Sequence, residues 1–159
     1  MTWNLPDEET RRRVNAAFGG TDPYLRLQSV WLAALDQLPT KPFPYWETQQ
    51  LRTKAPEDLV GVDPAGKASE VSGHYLGLQR DVDWSRWPLA HKRQVVSILE
   101  QAGLAVEKTK KGKLFRRHLH YGIPSAVIKE KGLVPMIEQI VRTIRATRDA
   151  GRMAGRFPR

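Results

Sequence analysis

The chain has 159 residues, 40% hydrophobic and 27% charged, enough for one modest core with some chain left to lie along a surface. Lys and Arg number 26 against 17 Asp and Glu, a net charge of +9 that points to an anionic partner. There is no cysteine, which excludes disulfides, Cys-ligated zinc, iron–sulfur clusters and thiol nucleophiles. Apolar runs reach only four or five residues, too short to span a bilayer. Asp7, Glu8 and Glu9 near the N-terminus argue against a cleavable signal or transit peptide.

The charge is unevenly placed. Residues 1–80 carry 9 basic and 10 acidic side chains, whereas residues 81–159 carry 17 and 7. Residues 108–129 contain no carboxylate, and the last eighteen residues hold six arginines. Like charges in a block repel one another, so the pattern favours a neutralising partner, first of all a phosphate backbone.

In chain order, residues 7–18 predict a helix with acids in its first turn and Gly19-Gly20 as its stop. Asp22 and Pro23 read as N-cap and N1, and Tyr24, Leu27, Trp31, Leu35 and Leu38 keep helical spacing up to Pro39. From 39 to 87, prolines at 39, 42, 44, 56 and 64 and glycines at 61, 66, 73 and 77 interrupt every candidate element. This stretch is expected to wrap irregularly along a surface, with short helical turns near 45–53 and 56–60. Its aromatics are the natural anchors, and Phe43, Tyr45, Trp46, Trp84 and Trp87 are the expected partner contacts.

Regularity returns at Pro88. Leu89, Val95, Val96, Ile98, Leu99 and Ala102 share one side of a helix closed by Gly103, while Arg93, Gln94, Ser97, Glu100 and Gln101 share the other. Residues 105–108 predict a strand, 109–112 a turn and 113–121 the returning strand. There Phe115, Arg117, Leu119 and Tyr121 fall on one face, and Leu114, Arg116, His118 and His120 on the other. A short helix follows Ile123-Pro124 as far as Lys131. Pro135 opens a last helix with an apolar stripe of Met136, Ile137, Ile140, Val141 and Ile144, ending at Gly151. Arg142, Arg145 and Arg148 lie off that stripe, and the tail 152–159 has too few apolar groups to fold alone.

Three small motifs bear on chemistry. Residues 61–68, GVDPAGKA, fit the spacing of a phosphate-binding loop but end in Ala68 where a hydroxyl should be, and read as an Asp-Pro turn. His118 and His120 project to one side of a strand, but a metal needs a third ligand, from His74, His91 or a distant carboxylate, and Arg116 on that face repels a cation. Asp81 and Asp83 form a D-x-D that reads as a turn or helix cap. No metal, cofactor or catalytic residue is expected, and the chain is read as no enzyme.

The run at 93–121, RQVVSILEQAGLAVEKTKKGKLFRRHLHY, resembles winged helix-turn-helix domains, whose recognition helix ends in a Leu-x-x-x-Gly-Leu step before a basic hairpin wing. The resemblance implies that Arg93, Gln94, Ser97 and Gln101 face bases and that Lys108, Lys110, Lys111, Lys113, Arg116 and Arg117 meet phosphates. The two helices that should precede the recognition helix fall in the Gly/Pro-broken stretch.

The expected fold is α+β and mostly helical, with four to five helices, one basic β-hairpin forming a partial winged-helix-like unit, and a long extended Pro/Trp-rich segment. Its parts are a helical pair at 1–38, the wrapping segment at 39–87, a helix–hairpin–helix unit at 88–151 and a basic tail at 152–159. The expected function is that of a non-catalytic subunit of a large, ribosomal or ribonucleoprotein-like assembly. Nucleic acid, RNA rather than DNA, would meet the hairpin and Arg142, Arg145, Arg148, Arg152 and Arg156, with protein subunits along 39–87 and both termini. One alternative is a winged-helix DNA-binding regulator or replication protein of phage or plasmid type. Another is an accessory subunit of an organellar complex, peripheral to the membrane. The expected location is intracellular, in a mitochondrial matrix or the cytoplasm, and not secreted.

Overall fold

Helix α1 (Glu8–Ala17) starts where the Asp7 carboxylate accepts a 2.7 Å hydrogen bond from the Thr10 amide. It ends at Gly19 and Gly20, whose φ angles of 66° and 86° suit glycine. Helix α2 (Pro23–Asp36) is capped by Asp22, which accepts from the amides of Tyr24 and Leu25. The apolar stripe anticipated for it is buried from Tyr24 to Leu38. Residues 5–39, 47–49, 51–55 and 72–155 are described in this computed structural model.

Beyond α2 come strand β1 (Glu47–Gln49), a 3-10 turn (Gly73–Leu76), strand β2 (Gln79–Asp83) and helix α3 (Leu89–Gln101). Strands β3 (Ala105–Val106) and β4 (His118–Gly122) follow, then helices α4 (Ser125–Glu130) and α5 (Val134–Gly155). The sheet is antiparallel, in the order β1-β2-β4-β3. The chain is thus α+β and mostly helical, with five α-helices among the described residues.

One apolar cluster joins α1, α2, the 3-10 turn, the sheet, α3, α4 and α5. Trp31 of α2 stacks on Tyr121 of β4 at 5.1 Å and on Trp87 at 6.1 Å, and Trp84 adjoins Trp87 at 6.1 Å. Such ring pairs add about 0.5–1.5 kcal/mol each beyond the area they bury. The stripe on α5 is as anticipated, with Ile137 fully buried and Val141 nearly so.

Several expectations are corrected. The stretch 39–87 is not uniformly irregular, because residues 79–83 form an inner strand of the sheet and residues 47–49 a strand rather than a helical turn. Trp84 and Trp87, expected at a partner surface, are 1% and 4% exposed and belong to the core. The division at residues 38 and 87 therefore does not separate units of the fold, since one core crosses both boundaries. On α3, Leu89 is exposed while Lys92 is buried. The hairpin pairs only at its base and near its tip, through Ala105–Gly122, Val106–Tyr121 and a lone Lys108–Leu114 bridge. Between 114 and 118 the ladder is broken, so strict alternation lapses and Phe115 stacks on His118 at 4.8 Å. Helix α5 continues to Gly155, past the predicted stop at Gly151.

Candidate functional site

The hairpin turn is closed by the Thr109 amide donating to the Lys113 carbonyl and the Lys113 amide donating to Thr109 Oγ1. Gly112, at φ 75°, supplies the left-handed residue that the turn needs. The limb that follows is pinned through its carbonyls. Trp84 Nε1 donates to Phe115, buried Lys92 Nζ to Arg116 at 2.8 Å, and the Trp84 amide to Arg117. With the backbone drawn inward, the side chains of Arg116 and Arg117 stay exposed, as do those of Lys110, Lys111 and Lys113. Burial, and then Arg116, lowers the Lys92 ammonium below its usual range; Lys92 also lies 5.5 Å from the Trp84 ring centre.

The turn folds beside the outer face of α3. Arg93, Ser97, Glu100 and Gln101 share a groove with Lys108, Gly112 and Leu114. Three of the four residues assigned to base contact are therefore on one concave surface. Gln94 is not: its amide donates to the Gln37 carbonyl at the end of α2. Lys108 is held by Glu100 at 3.2 Å, so the groove contains a carboxylate that offsets one of its cations. The helix packed on α3 is α2, which lies upstream of the sheet rather than one short turn away as in a helix-turn-helix.

The second basic device is less open than its sequence suggests. Arg142 is exposed and donates to Gln139, but Arg145 and Arg148 are half-buried on α5, with Arg148 3.1 Å from Asp149. Arg152 lies on α5. Phe43, Tyr45, Trp46, Arg156 and the loop 61–68 lie outside the described residues.

A different constellation emerges on the sheet face opposite the aromatic core. In the β2–β4 register Asp81 pairs with His120, and Asp83 with His118. Period-two alternation sends Val82, Leu119 and Tyr121 into the core and Asp81 and His120 to the other side. The 3-10 turn then lays His74 over this pair. Ser72 caps the turn, and Gly77 at φ 70° redirects the chain into β2. Gln79 stitches it down, accepting from the Gly73 amide and donating to the Ile123 carbonyl. A Cβ on Gly73 would lie 2.7 Å from Ile128 Cδ1 and 2.9 Å from the Gln79 side chain, so a larger residue there would displace the side chains that hold the turn down.

Three ligand-type atoms converge. His120 Nδ1 is 2.8 Å from Asp81 Oδ1, His74 Nε2 is 3.1 Å from His120 Nδ1, and His74 Nε2 is 3.5 Å from Asp81 Oδ1. His74 is fully buried, and its Nδ1 makes no hydrogen bond among the described residues. Burial pushes its pKa down against the pull of Asp81. Burial alone would raise Asp81, but hydrogen bonds from His120 and His74 outweigh it and hold the carboxyl well below the usual carboxylate range. Glu107 stands 4.0 Å from His120 Nδ1, and an open groove beside the cluster is lined by Arg52, Ser72, Glu107, His120 and Ser125. The sequence showed HLH and DVD as separate short motifs; only strand register joins one residue of each.

No family model, curated protein or solved structure matches the chain.

Proposed function

We propose that this chain is a non-catalytic, nucleic-acid-contacting component of a larger assembly, with RNA favoured over DNA. The observation that carries the reading is the exposed set Lys110, Lys111, Lys113, Arg116 and Arg117, presented by a turn closed by Thr109 and by the limb after it, whose Phe115 and Arg116 carbonyls are tied to Trp84 and Lys92. A rigid loop bearing cations in place of a base-reading surface suits phosphates, whose positions follow the shape of the backbone. Engagement of Gln94 by α2, and Glu100 within the α3 groove, leave little of a major-groove reading face, which weighs against a sequence-specific regulator.

The test is RNA affinity across a salt series, for the natural chain and for a Lys110→Glu, Lys111→Glu, Lys113→Glu variant. Several phosphate contacts make the natural chain lose about tenfold or more between 50 and 200 mM salt, and triple reversal costs about 100-fold at the lower salt. An affinity indifferent to salt, or intact in the reversed variant, overturns the reading. Gln101→Ala should leave binding unchanged in a component that tracks backbone, whereas loss of a sequence preference with non-specific affinity kept would favour the regulator.

A further inference from the structure

We propose that His74, Asp81 and His120 form a site for a single divalent first-row transition ion of the Zn2+ class, through His74 Nε2, His120 Nδ1 and Asp81 Oδ1. It is independent of nucleic-acid contact, since the residues involved lie outside the exposed basic set.

The spacing of the donor atoms suits a single ion. With metal–ligand bonds of about 2.1 Å, neighbouring donors stand about 3.0 Å apart in an octahedral face and about 3.4 Å apart in a tetrahedral one. The three edges here, 2.8, 3.1 and 3.5 Å, bracket those values. A point about 2.1 Å from all three atoms therefore exists just off their plane.

Without an ion, His120 and His74 can hold together with Asp81 only by turning N–H groups toward its carboxylate, and those protons can be displaced by a metal, which takes the lone pairs of the same three atoms. A dication satisfies all three together. Two imidazoles with one carboxylate is a borderline donor set that suits Zn2+ and its neighbours better than Ca2+ or Mg2+.

The donors are also supported and accessible. His74 is fixed by a capped turn and by Gln79, while Asp81 and His120 are fixed by a cross-strand pair, so the donors converge before any ion arrives. The chain contributes three donors, and the groove at Glu107, Ser72 and Ser125 leaves room on the remaining side for water or an incoming ligand. Arg52 is the cation lining that groove among the described residues, and Glu107 opposes it. A bound ion would tie the 3-10 turn, β2 and β4 into one unit.

The experiment uses the untagged full-length chain, stripped with a chelator and titrated with Zn2+ by calorimetry and with Co2+ by visible absorption. One ion per chain is expected. Asp81→Asn and His120→Gln should each weaken binding by about 100-fold or more, since even outer-shell changes cost 10–100-fold. His118→Ala should bind as the natural chain does. The protein has four histidines, and Co2+ should give large contact shifts on the ligand rings of His74 and His120, with only smaller through-space shifts on His118, two residues along the same strand face. That reading needs no variant to fold. Absence of saturable binding, undiminished binding in Asp81→Asn and His120→Gln, or large contact shifts at His118 in place of His74 overturns the proposal.

Discussion

The basic hairpin and the histidine–aspartate cluster both depend on strand β4, yet they place charge in opposite settings. Around the turn, Lys110, Lys111, Lys113, Arg116 and Arg117 stand in water, where screening makes their electrostatic effect insensitive to an ångström of placement. In the cluster, His74 is fully enclosed and three polar atoms lie within 3.5 Å of one another, so geometry decides everything. The difference teaches that a surface device is built from number and sign, whereas an enclosed one is built from register. Damage to the first should be graded and spare the fold; damage to the second should be abrupt and reach the fold.

The sharpest way to break that contrast is Gly122→Ala. A Cβ there would lie 2.3 Å from the Leu78 carbonyl oxygen and 2.6 Å from Gln79 Cα, both backbone atoms that hold β2 against β4. The expected loss is about 3 kcal/mol or more in a denaturant titration. A variant as stable as the natural chain would mean that the close approach beneath the cluster does not exist.

A smaller effect is expected from pH, measured on the chelator-treated protein. The folded state lowers the pKa of His74, so the unfolded chain takes up a proton first as pH falls below about 6.5, and stability declines from there. Asp81 is also lowered, so its contribution is complete above about pH 4 and is lost on further acidification. Both groups act in the same direction. Unfolding midpoints should therefore drop between pH 7.5 and 5.5, and His74→Gln should flatten that drop even if it lowers stability throughout. An unchanged slope in His74→Gln would remove the titration from the cluster.

The smallest effect belongs to the hairpin. Lys111→Ala should leave the unfolding midpoint within about 0.5 kcal/mol and weaken RNA binding only about three- to fivefold, lowering the salt slope by about one contact. A single substitution that abolished binding would show that the turn acts through one geometrically set contact, as the cluster does.

Much of the fold could be read along the chain. Asp7 and Asp22 mark helix starts, and the stripes Tyr24–Leu27–Trp31–Leu35 and Ile137–Ile140–Val141–Ile144 mark buried faces, because each signal lies within one or two turns of its own helix. Less could be read where the partner is distant. Residues 79–83 look like a broken loop because a strand of five residues between glycine and tryptophan has little pattern of its own; its partners are His118–Gly122. Trp84 and Trp87 read equally well as interface or core until Trp31 and Tyr121 are set beside them. Lys92 falls within the apolar stripe of Val95, Val96 and Leu99, and only the tertiary structure shows what its ammonium meets there, the Arg116 carbonyl and the Trp84 ring.

By itself, the sequence determined the mostly helical α+β class, the ends of the first two helices and the acid-free hairpin, because composition, caps and helical period are local properties. Only the tertiary structure decided which of the basic residues face water, that Gln94 is spent on Gln37, and that His74, Asp81 and His120 meet. The physical reason is the strand period. Side chains alternate every residue, so a one-residue slip of β2 against β4 would send Asp81 or His120 to the wrong face. That register is set jointly by the core under Tyr121 and the close backbone approach at Gly122.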